Sequence, residues 1–524
     1  MSNLDNHILL TTAISYTNGS PHIGHLYEAV LADFIKRVYQ IVEYDIKLLT
    51  GTDEHGKKIQ TTAQDIGYLP IELCNKYSNE FVQMNKSIGS SFDYFIRTTE
   101  PAHKELVIQS VQSILTSNQY KETNGTNDFE TDRTIYLGEY SGYYNVREEC
   151  YITEIQASQT DYKDPVTLKP YEIVKEQTYY FILNNYTSVI NETIRTIEPV
   201  HFQDEINSRV SKGLEDLSIT RTSFTWGIPF PSTNNHVIYV WFDALLNYIT
   251  GKKILFENKP NVKSIHLIGK DIIWFHSVIY PAILKACGYT DSIPYKILVH
   301  GFILDKEGRK MSKSLGNVIS NEYLLNTYPI DAIRYYLITN TIMGQDFKFD
   351  SDNLINNYNN ILIKGFGNLF QRLLKIVKPI SNEINKWLSV NQKILLDKQL
   401  ECVDVVEKFL ALMGEEFITY MIYLNNLIDK LNKDLTEKKP WTKTIQTQVD
   451  IMGFLIIDYY LVMCLMYPII PNKTIELAKY FGWDKNLNLY VKNIHINILL
   501  EPSKPIAFEY IKKIIKPINN TLLD

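Results

Sequence analysis

Two imidazoles three positions apart, His22 and His25 in "PHIGH", follow a stretch that reads as strand, turn and helix start. On the first turn of a helix they would join free backbone N–H groups and the positive end of the helix dipole, an arrangement that cradles an anion. Gly19 and Ser20, just before them, let a ligand approach the backbone. Plainer readings of an HxxH pair stay open: packing, helix capping or a metal site. Zinc helices use H-E-x-x-H with i, i+4 spacing and a third ligand, and this pair has neither. A Walker-type phosphate loop is excluded, because GxxxxGK[ST] occurs nowhere in the chain.

Far downstream, "EGRKMSKSLGN" (307–317) sets Arg309, Lys310 and Lys313 beside Ser312 and Ser314, with Gly308 and Gly316 near its ends. A charge run is commonly a solvated turn. The sharper reading is a mobile cationic loop that closes on polyphosphate. Histidines on one flank and lysines on the other would neutralise a phosphate chain from both sides. Phosphoryl and adenylyl transfer demand in-line positioning and cations more than covalent help. Asp53 in "GTDEHG" (51–56) lies at a strand end, where it could pair with a ligand amine or simply cap the next helix. Trp241 and Tyr248 of "VWFDALLNY", with Phe275 and His276 of "GKDIIWFHS", are ordinary core residues when taken singly. Together with Tyr16 they would wall an aromatic pocket suited to a soft thioether.

Elements must bring these residues together. "HILLTTAISY" (7–16) reads as a buried strand, "NGSPHIGH" as a turn opening a helix, and "DIKLLTGTDEHG" (45–56) as a second strand and loop. Strands alternating with helices imply a parallel sheet with ligands at the strand C-termini. From residue 119 to 215 the texture changes to antiparallel alternation, which predicts an inserted domain. The parallel pattern is expected to resume with "HVIYVWFDALLNYI" and "SIHLIGKDIIWFHSVIYPAILKA", and from 351 onward apolar spacings of three and four predict helices.

A chain of 524 residues is too long for one core. A net charge of −6 argues against bulk nucleic-acid coating, though not against a local basic patch. The cysteines at 74, 150, 287, 402 and 464 form no C-x-x-C pair, so neither a zinc knuckle nor a disulfide framework is indicated and a reducing, intracellular home fits. The opening "MSNLDNH" carries no signal or transit pattern. The longest apolar stretch, "FLIIDYYLVMCLMYPII" (454–470), contains Asp458 and ends in proline, so a buried helix rather than a membrane span is expected.

With "PHIGH" and "KMSKS" both in place, the chain resembles the class I aminoacyl-tRNA synthetases. The blocks "TTAISYTNGSPHIGHLYEA", "LLTGTDEHGKKI", "GLEDLSITRTSFTWGIPFP", "HVIYVWFDALLNYIT", "IGKDIIWFHS" and "VHGFILDKEGRKMSKSLGN" narrow the resemblance to methionyl-tRNA synthetases of the bacterial and organellar type. The resemblance implies an α/β fold. A Rossmann-like parallel-sheet catalytic domain would occupy 1–118 and 216–298, with a mixed α/β connective domain inserted at 119–215. A KMSKS-loop stem-contact region would span 299–350, and a C-terminal α-helical bundle for anticodon binding 351–524.

The activity implied is ATP-dependent attachment of methionine to tRNA(Met) through methionyl-adenylate, with Mg²⁺ accompanying ATP. On matching positions, His22 and His25 would hold the ATP phosphates, and Lys310 and Lys313 would stabilise the α-phosphate transition state and the leaving pyrophosphate. Gly269 and Asp271 would contact the adenosine. Asp53, helped by the Tyr16 hydroxyl, would pair with the α-amino group. Ile14, Tyr16, Trp241, Ala244, Tyr248, Ile272, Phe275 and His276 would form the side-chain pocket. Asn368, Arg372 and Trp441 would contact the CAU anticodon. Plainer alternatives are a core tryptophan at a helix start for Trp441 and a solvated helix face for Arg372.

Many relatives carry cysteine zinc knuckles, whereas "YYNVREECYITE" offers only Cys150. The resemblance is therefore to a zinc-free branch, and no structural zinc is expected. The chain ends soon after its helical region, so a monomer is expected, cytoplasmic and without membrane attachment; an organellar enzyme stripped of its targeting segment would read the same. The cysteine enzyme of this class would want a metal-binding cysteine set, and the leucine enzyme a much longer insertion. A catalytically silent RNA-binding relative would not need His22, His25, Asp53, Lys310 and Lys313 together.

Overall fold

A computed structural model describes residues 7–124, 133–146, 149–152, 154–165, 168–231, 233–257, 259–311, 316–485 and 487–489. Its centre is a seven-stranded sheet of β1 (His7–Thr12), β2 (Ser15–Tyr16), β3 (Asp45–Asp53), β4 (Tyr94–Arg97), β5 (Ile197–Glu198), β6 (Lys263–Gly269) and β7 (Lys296–His300). The spatial order is β4-β3-β1-β6-β7-β5, with β2 on the end of β3, and every ladder is parallel. β1 is buried along its whole length, as a strand covered on both faces should be. From β1 the chain winds through α1 (Ile23–Ile41) to β3 on one side, while β6 leads to β7 on the other. The strand order thus reverses between β1 and β6, and a crevice forms outside their carboxyl ends.

Two stretches differ from the sequence expectation. The predicted strand 7–16 is broken, because Ala13 and Ile14 leave the ladder before Ser15–Tyr16 rejoins it beside Thr52 and Asp53. In "HVIYVWFDALLNYI" only Val237–Ile238 is extended, and it pairs antiparallel with Thr220–Arg221 outside the main sheet. The Phe242 and Asp243 amides then return to the Tyr239 carbonyl and close a helix, Val240–Leu245, followed by Asn247–Leu255. A short apolar run is equally compatible with a buried helix and a buried strand, so its periodicity does not decide.

A four-stranded antiparallel sheet, ordered Cys150–Ile152, Ile135–Asn145, Glu172–Phe181, Leu217–Ser218, stands apart from the main sheet. β5 falls within the 119–215 segment yet pairs with Ile297 and Leu298 of the main sheet. The five cysteines are free, and among the described residues no group of three or more His, Cys, Asp or Glu could hold a metal ion.

Beyond residue 350 the described chain is helical, with long helices Gln392–Glu416, Thr419–Lys438 and Ile445–Met466. The last is long and apolar enough to cross a membrane, but 83% of its most apolar window is buried inside the fold. Every residue from Leu455 to Met466 is buried, and Asp458 is paired there with Lys398.

α1 joins this helical body to the sheet. Phe34 packs edge-on against Phe417 and Tyr420, with centroids 5.6 and 5.2 Å away. The preceding residue, buried Asp33, accepts from Arg37 Nε at 2.9 Å and the Ser91 amide at 2.7 Å, and lies 2.7 Å from Arg334 Nη2. Arg334 donates further to the carbonyls of Ile469, Ile88 and Pro468. Burial would raise the Asp33 carboxyl, but the Arg334 and Arg37 guanidinium groups outweigh it and hold the pKa below its ordinary value. Replacing Arg334 with Met leaves Asp33 and three carbonyls without their main donor. The expected loss is about 3–5 kcal/mol in urea unfolding; a loss below about 1 kcal/mol would show that the network is not holding these elements together.

Candidate active site

His22 caps α1. Its Nδ1 accepts from the Gly24 amide at 3.1 Å, and its own amide donates to His25 Nδ1 at 3.1 Å. The rings stack with centroids 3.9 Å apart. Because both Nδ1 atoms accept, the ring protons are assigned to Nε2. The histidine turn is pinned to the chain just beyond the cationic loop: His22 and Ser320 form an antiparallel bridge, and the Ile23 amide donates to the Ile319 carbonyl at 3.2 Å.

The base of that loop is tied by Asp305, which accepts from the Arg309 amide and Nε, each at 2.8 Å, and from Asn317 Nδ2 at 2.8 Å. Desolvation, which would raise the Asp305 carboxyl, is outweighed by the Asn317 and Arg309 bonds, and its pKa falls to about 2. Gly308 and Gly316 adopt φ of 85° and 64°, the left-handed region in which a side chain is strained. Lys310 Nζ lies 3.9 Å from the centre of the Phe302 ring and 3.7 Å from Asp271 Oδ2. Gly269 ends β6, and Asp271 follows it in a short 3₁₀ turn. Lys310, Gly269, Asp271 and the histidine turn therefore all belong to the carboxyl end of the sheet. Lys313, with Ser312 and Ser314, lies outside the described residues.

Beside this turn opens a cavity of about 320 Å³. Ile14, Tyr16, Asp53, Trp241, Ala244, Tyr248, Ile272 and His276 line it, as do Ala13, Leu245 and Asn247, which sequence reasoning missed. Asn247 directly precedes Tyr248 in "VWFDALLNY", and that adjacency was the available signal. Phe275 is not among the lining residues; it stacks on the Trp241 ring at 3.7 Å with planes 11° apart. Ala13 also faces a neighbouring cavity of about 300 Å³ whose walls include His25 and Glu28.

The cavity has two chemical ends. Among the described residues, Tyr16 OH, Asp53 Oδ1, Trp241 Nε1 and Asn247 Oδ1 are buried without a protein partner. Buried polar atoms are nearly always satisfied, and each orphan costs about 1–3 kcal/mol, so several around one cavity mark a place for a polar ligand. Burial, reinforced by the Asp243 charge, raises the Asp53 carboxyl well above the ordinary range. A cation arriving there would reverse that shift.

The His276 and Tyr248 wall is neutral. His276 Nδ1 faces the Ile272 carbonyl at 3.0 Å, so it donates, and Nε2 accepts from Tyr248 OH at 2.8 Å. Burial lowers His276 to a pKa of about 4. His276 follows Phe275 into a wide π-type turn, Phe275–Ile279, a form often found at functional sites.

In the helical region Asn368 begins the helix Asn368–Val377, and Arg372 lies one turn on. Arg372 Nη2 donates to Thr436 Oγ1 at 3.0 Å and Nη1 to Asn432 Oδ1 at 3.5 Å, both on Thr419–Lys438. That helix ends at left-handed Lys439, and Trp441 follows with 52% of its surface exposed. The exposure is incompatible with a core tryptophan, and the guanidinium contacts are incompatible with a freely solvated arginine.

The neutral state of His276 gives a pH signature. A folded pKa of about 4 lies below the unfolded value near 6.5, so the neutral form contributes stability above pH 6.5 that is lost as pH falls toward 4. Between pH 7.5 and 5 this site should remove about 2 kcal/mol. Chemical denaturation at the two pH values should therefore show His276→Gln losing about that much less than the parent; parallel losses would mean that His276 is not buried neutral.

A family model described as "tRNA synthetases class I (M)" matches residues 8–374. The chain is 35% identical over 450 residues to a methionine--tRNA ligase of Mesorhizobium japonicum, covering 82% of each protein. It is 35% identical over 452 residues to a methionine--tRNA ligase of Lactococcus lactis, covering 82% of this chain and spanning 65% of that protein's length. Its fold superimposes with a TM-score of 0.81 and 30% identity on Mycobacterium tuberculosis methionyl-tRNA synthetase in complex with methionyl-adenylate, over 95% of this chain and 99% of that one. With matches of this extent over a parallel sheet whose strand ends gather the expected residues, the chain belongs to the methionine--tRNA ligase family of class I tRNA synthetases.

Proposed function

We propose that the chain activates methionine with ATP and transfers it to tRNA(Met). One observation carries this reading: a buried carboxylate oxygen and a phenol without protein partners, Asp53 Oδ1 and Tyr16 OH, in an otherwise neutral cavity beside the histidine-capped start of α1. In the first step the methionine carboxylate oxygen attacks the α-phosphorus of ATP. The bond to the β-phosphate oxygen breaks, and pyrophosphate leaves. In the second, a ribose hydroxyl of the terminal adenosine attacks the methionyl carbonyl, and AMP departs. No side chain becomes acylated.

The roles follow from the chemistry of each group. Asp53 pairs with the substrate ammonium, and the Tyr16 hydroxyl contributes a hydrogen bond beside it. The thioether lies against Ile14, Trp241, Ala244, Tyr248, Ile272 and neutral His276, with Phe275 backing Trp241. Nε2–H of His22 and His25 donates to phosphate oxygens, and Lys310 and Lys313 meet the charge that develops on the α-phosphate and pyrophosphate. Gly269 and Asp271 contact the adenosine. Mg²⁺ enters on the ATP phosphates as part of that substrate. Asn368, Arg372 and Trp441 contact unpaired anticodon bases by hydrogen bonding and stacking.

ATP–pyrophosphate exchange should respond to methionine alone among the twenty amino acids; a response to another residue, or none, would overturn the reading. Lys310→Ala should slow exchange by about a hundredfold with a smaller change in methionine affinity. Undiminished exchange would remove Lys310 from the mechanism. Trp441→Ala should weaken tRNA charging about tenfold or more while exchange stays near the parent rate. Equal damage to both reactions would assign Trp441 a structural role.

A further inference from the structure

Behind the cavity lies a buried cluster that none of these steps uses. Asp243 sits on the helix Val240–Leu245, which also carries Trp241 and Ala244. Its Oδ2 accepts from His55 Nδ1 at 2.6 Å and its Oδ1 from His103 Nε2 at 2.8 Å. His103 Nδ1 in turn lies 2.9 Å from Thr250 Oγ1. His55, His103, Asp243 and Thr250 are all at most 3% exposed. They come from four elements: the turn after β3, the helix Pro101–Asn124, Val240–Leu245 and Asn247–Leu255. Two imidazoles, each donating to one carboxylate oxygen, fix that carboxylate on both sides.

His55 follows Asp53 by two residues and makes contact in two directions. Its ring holds Asp243, and its backbone forms a hydrogen bond to the Asp53 carboxylate. The turn is gripped from outside as well: the Trp226 indole donates to the Glu54 carbonyl at 2.5 Å, and the Gly56 amide donates to the Trp226 carbonyl at 3.0 Å. Burial is outweighed at Asp243 by His55 and His103, which hold its carboxyl at about 2. That charge bears on Asp53. Without the imidazole donors it would face Asp53 less compensated, through a medium that screens poorly.

We propose that His55, Asp243 and His103 form a positioning cluster that aims the Asp53 carboxylate, through the 53–55 turn, at the primary ammonium group of the amino-acid substrate. The cluster touches no reacting atom. Its direct link is to the grip for the amine, through the His55 backbone bond to Asp53, whereas Trp241 and Ala244 only share a helix with Asp243. The inference rests on the methionine-activating reading above.

Two inhibitors of methionine-dependent exchange separate the cavity's ends. Methioninol keeps the ammonium group and lacks the carboxylate; 4-(methylthio)butanoate keeps the carboxylate and thioether and lacks the amine. His55→Leu and Asp243→Asn should each weaken methioninol inhibition about tenfold. Inhibition by 4-(methylthio)butanoate and the KM for ATP should stay within about twofold, which also reports that the variants are folded. His55→Asn, whose side-chain amide can donate where the ring N–H did, should restore methioninol inhibition. The inference is overturned if both analogues weaken together, if neither changes, or if His55→Asn behaves like His55→Leu. Should the unaltered protein show no methionine-dependent exchange and bind neither analogue, the functional reading falls and this inference with it.

Discussion

A buried aspartate held between two arginines is the constraint on which the architecture turns. Asp33 lies mid-way along α1, and its partners Arg37 and Arg334 spend their remaining donors on carbonyls and a tyrosine from the segments that flank it. Such a network adds little net energy compared with a well-packed apolar core, but leaving one member alone is expensive, so it tolerates few arrangements. α1 can therefore sit in one register against both the sheet and the helical body. The histidines at its first turn inherit that register, and so does their bridge to Ser320.

The cavity gains discrimination from contrast. At Asp53 a carboxylate with one oxygen unsatisfied is raised by burial, so it gains most from an arriving cation. His276, on the same cavity, is kept uncharged by burial and accepts from Tyr248, and presents a wall that an apolar thioether does not have to desolvate against charge. A sulfur–aromatic contact contributes only about 0.3–1.5 kcal/mol, so preference for methionine over other apolar side chains must be shared among several walls.

Much of this was legible in the residues. Residue type and spacing singled out the histidine turn and the distant lysine loop, whose downstream Ser320 bridges His22, and the alternation of strand and helix foretold the parallel sheet. What stayed hidden depends on three-dimensional closure. His55 and Asp243 are 188 positions apart, and neither sits in a pattern that names the other. Leu245 and Asn247 sit in or beside helices inside a block that reads only as a resumption of the sheet pattern, and the packing alone reveals that they face the cavity. "HVIYV" failed as a main-sheet strand because a short apolar run does not announce which secondary structure will bury it. Phe275 carried the right chemistry, but stacking on Trp241 moved it one layer back.

The helix Ile445–Met466 has a consequence for biosynthesis. Its covering partners, Gln392–Glu416 and Thr419–Lys438, precede it in the chain and leave the ribosome first. A groove is thus already under construction when the greasiest segment emerges. Reordering the gene so that this helix were translated before its neighbours would leave the nascent polypeptide exposing a sticky surface for longer, at the stage when aggregation competes most strongly with folding.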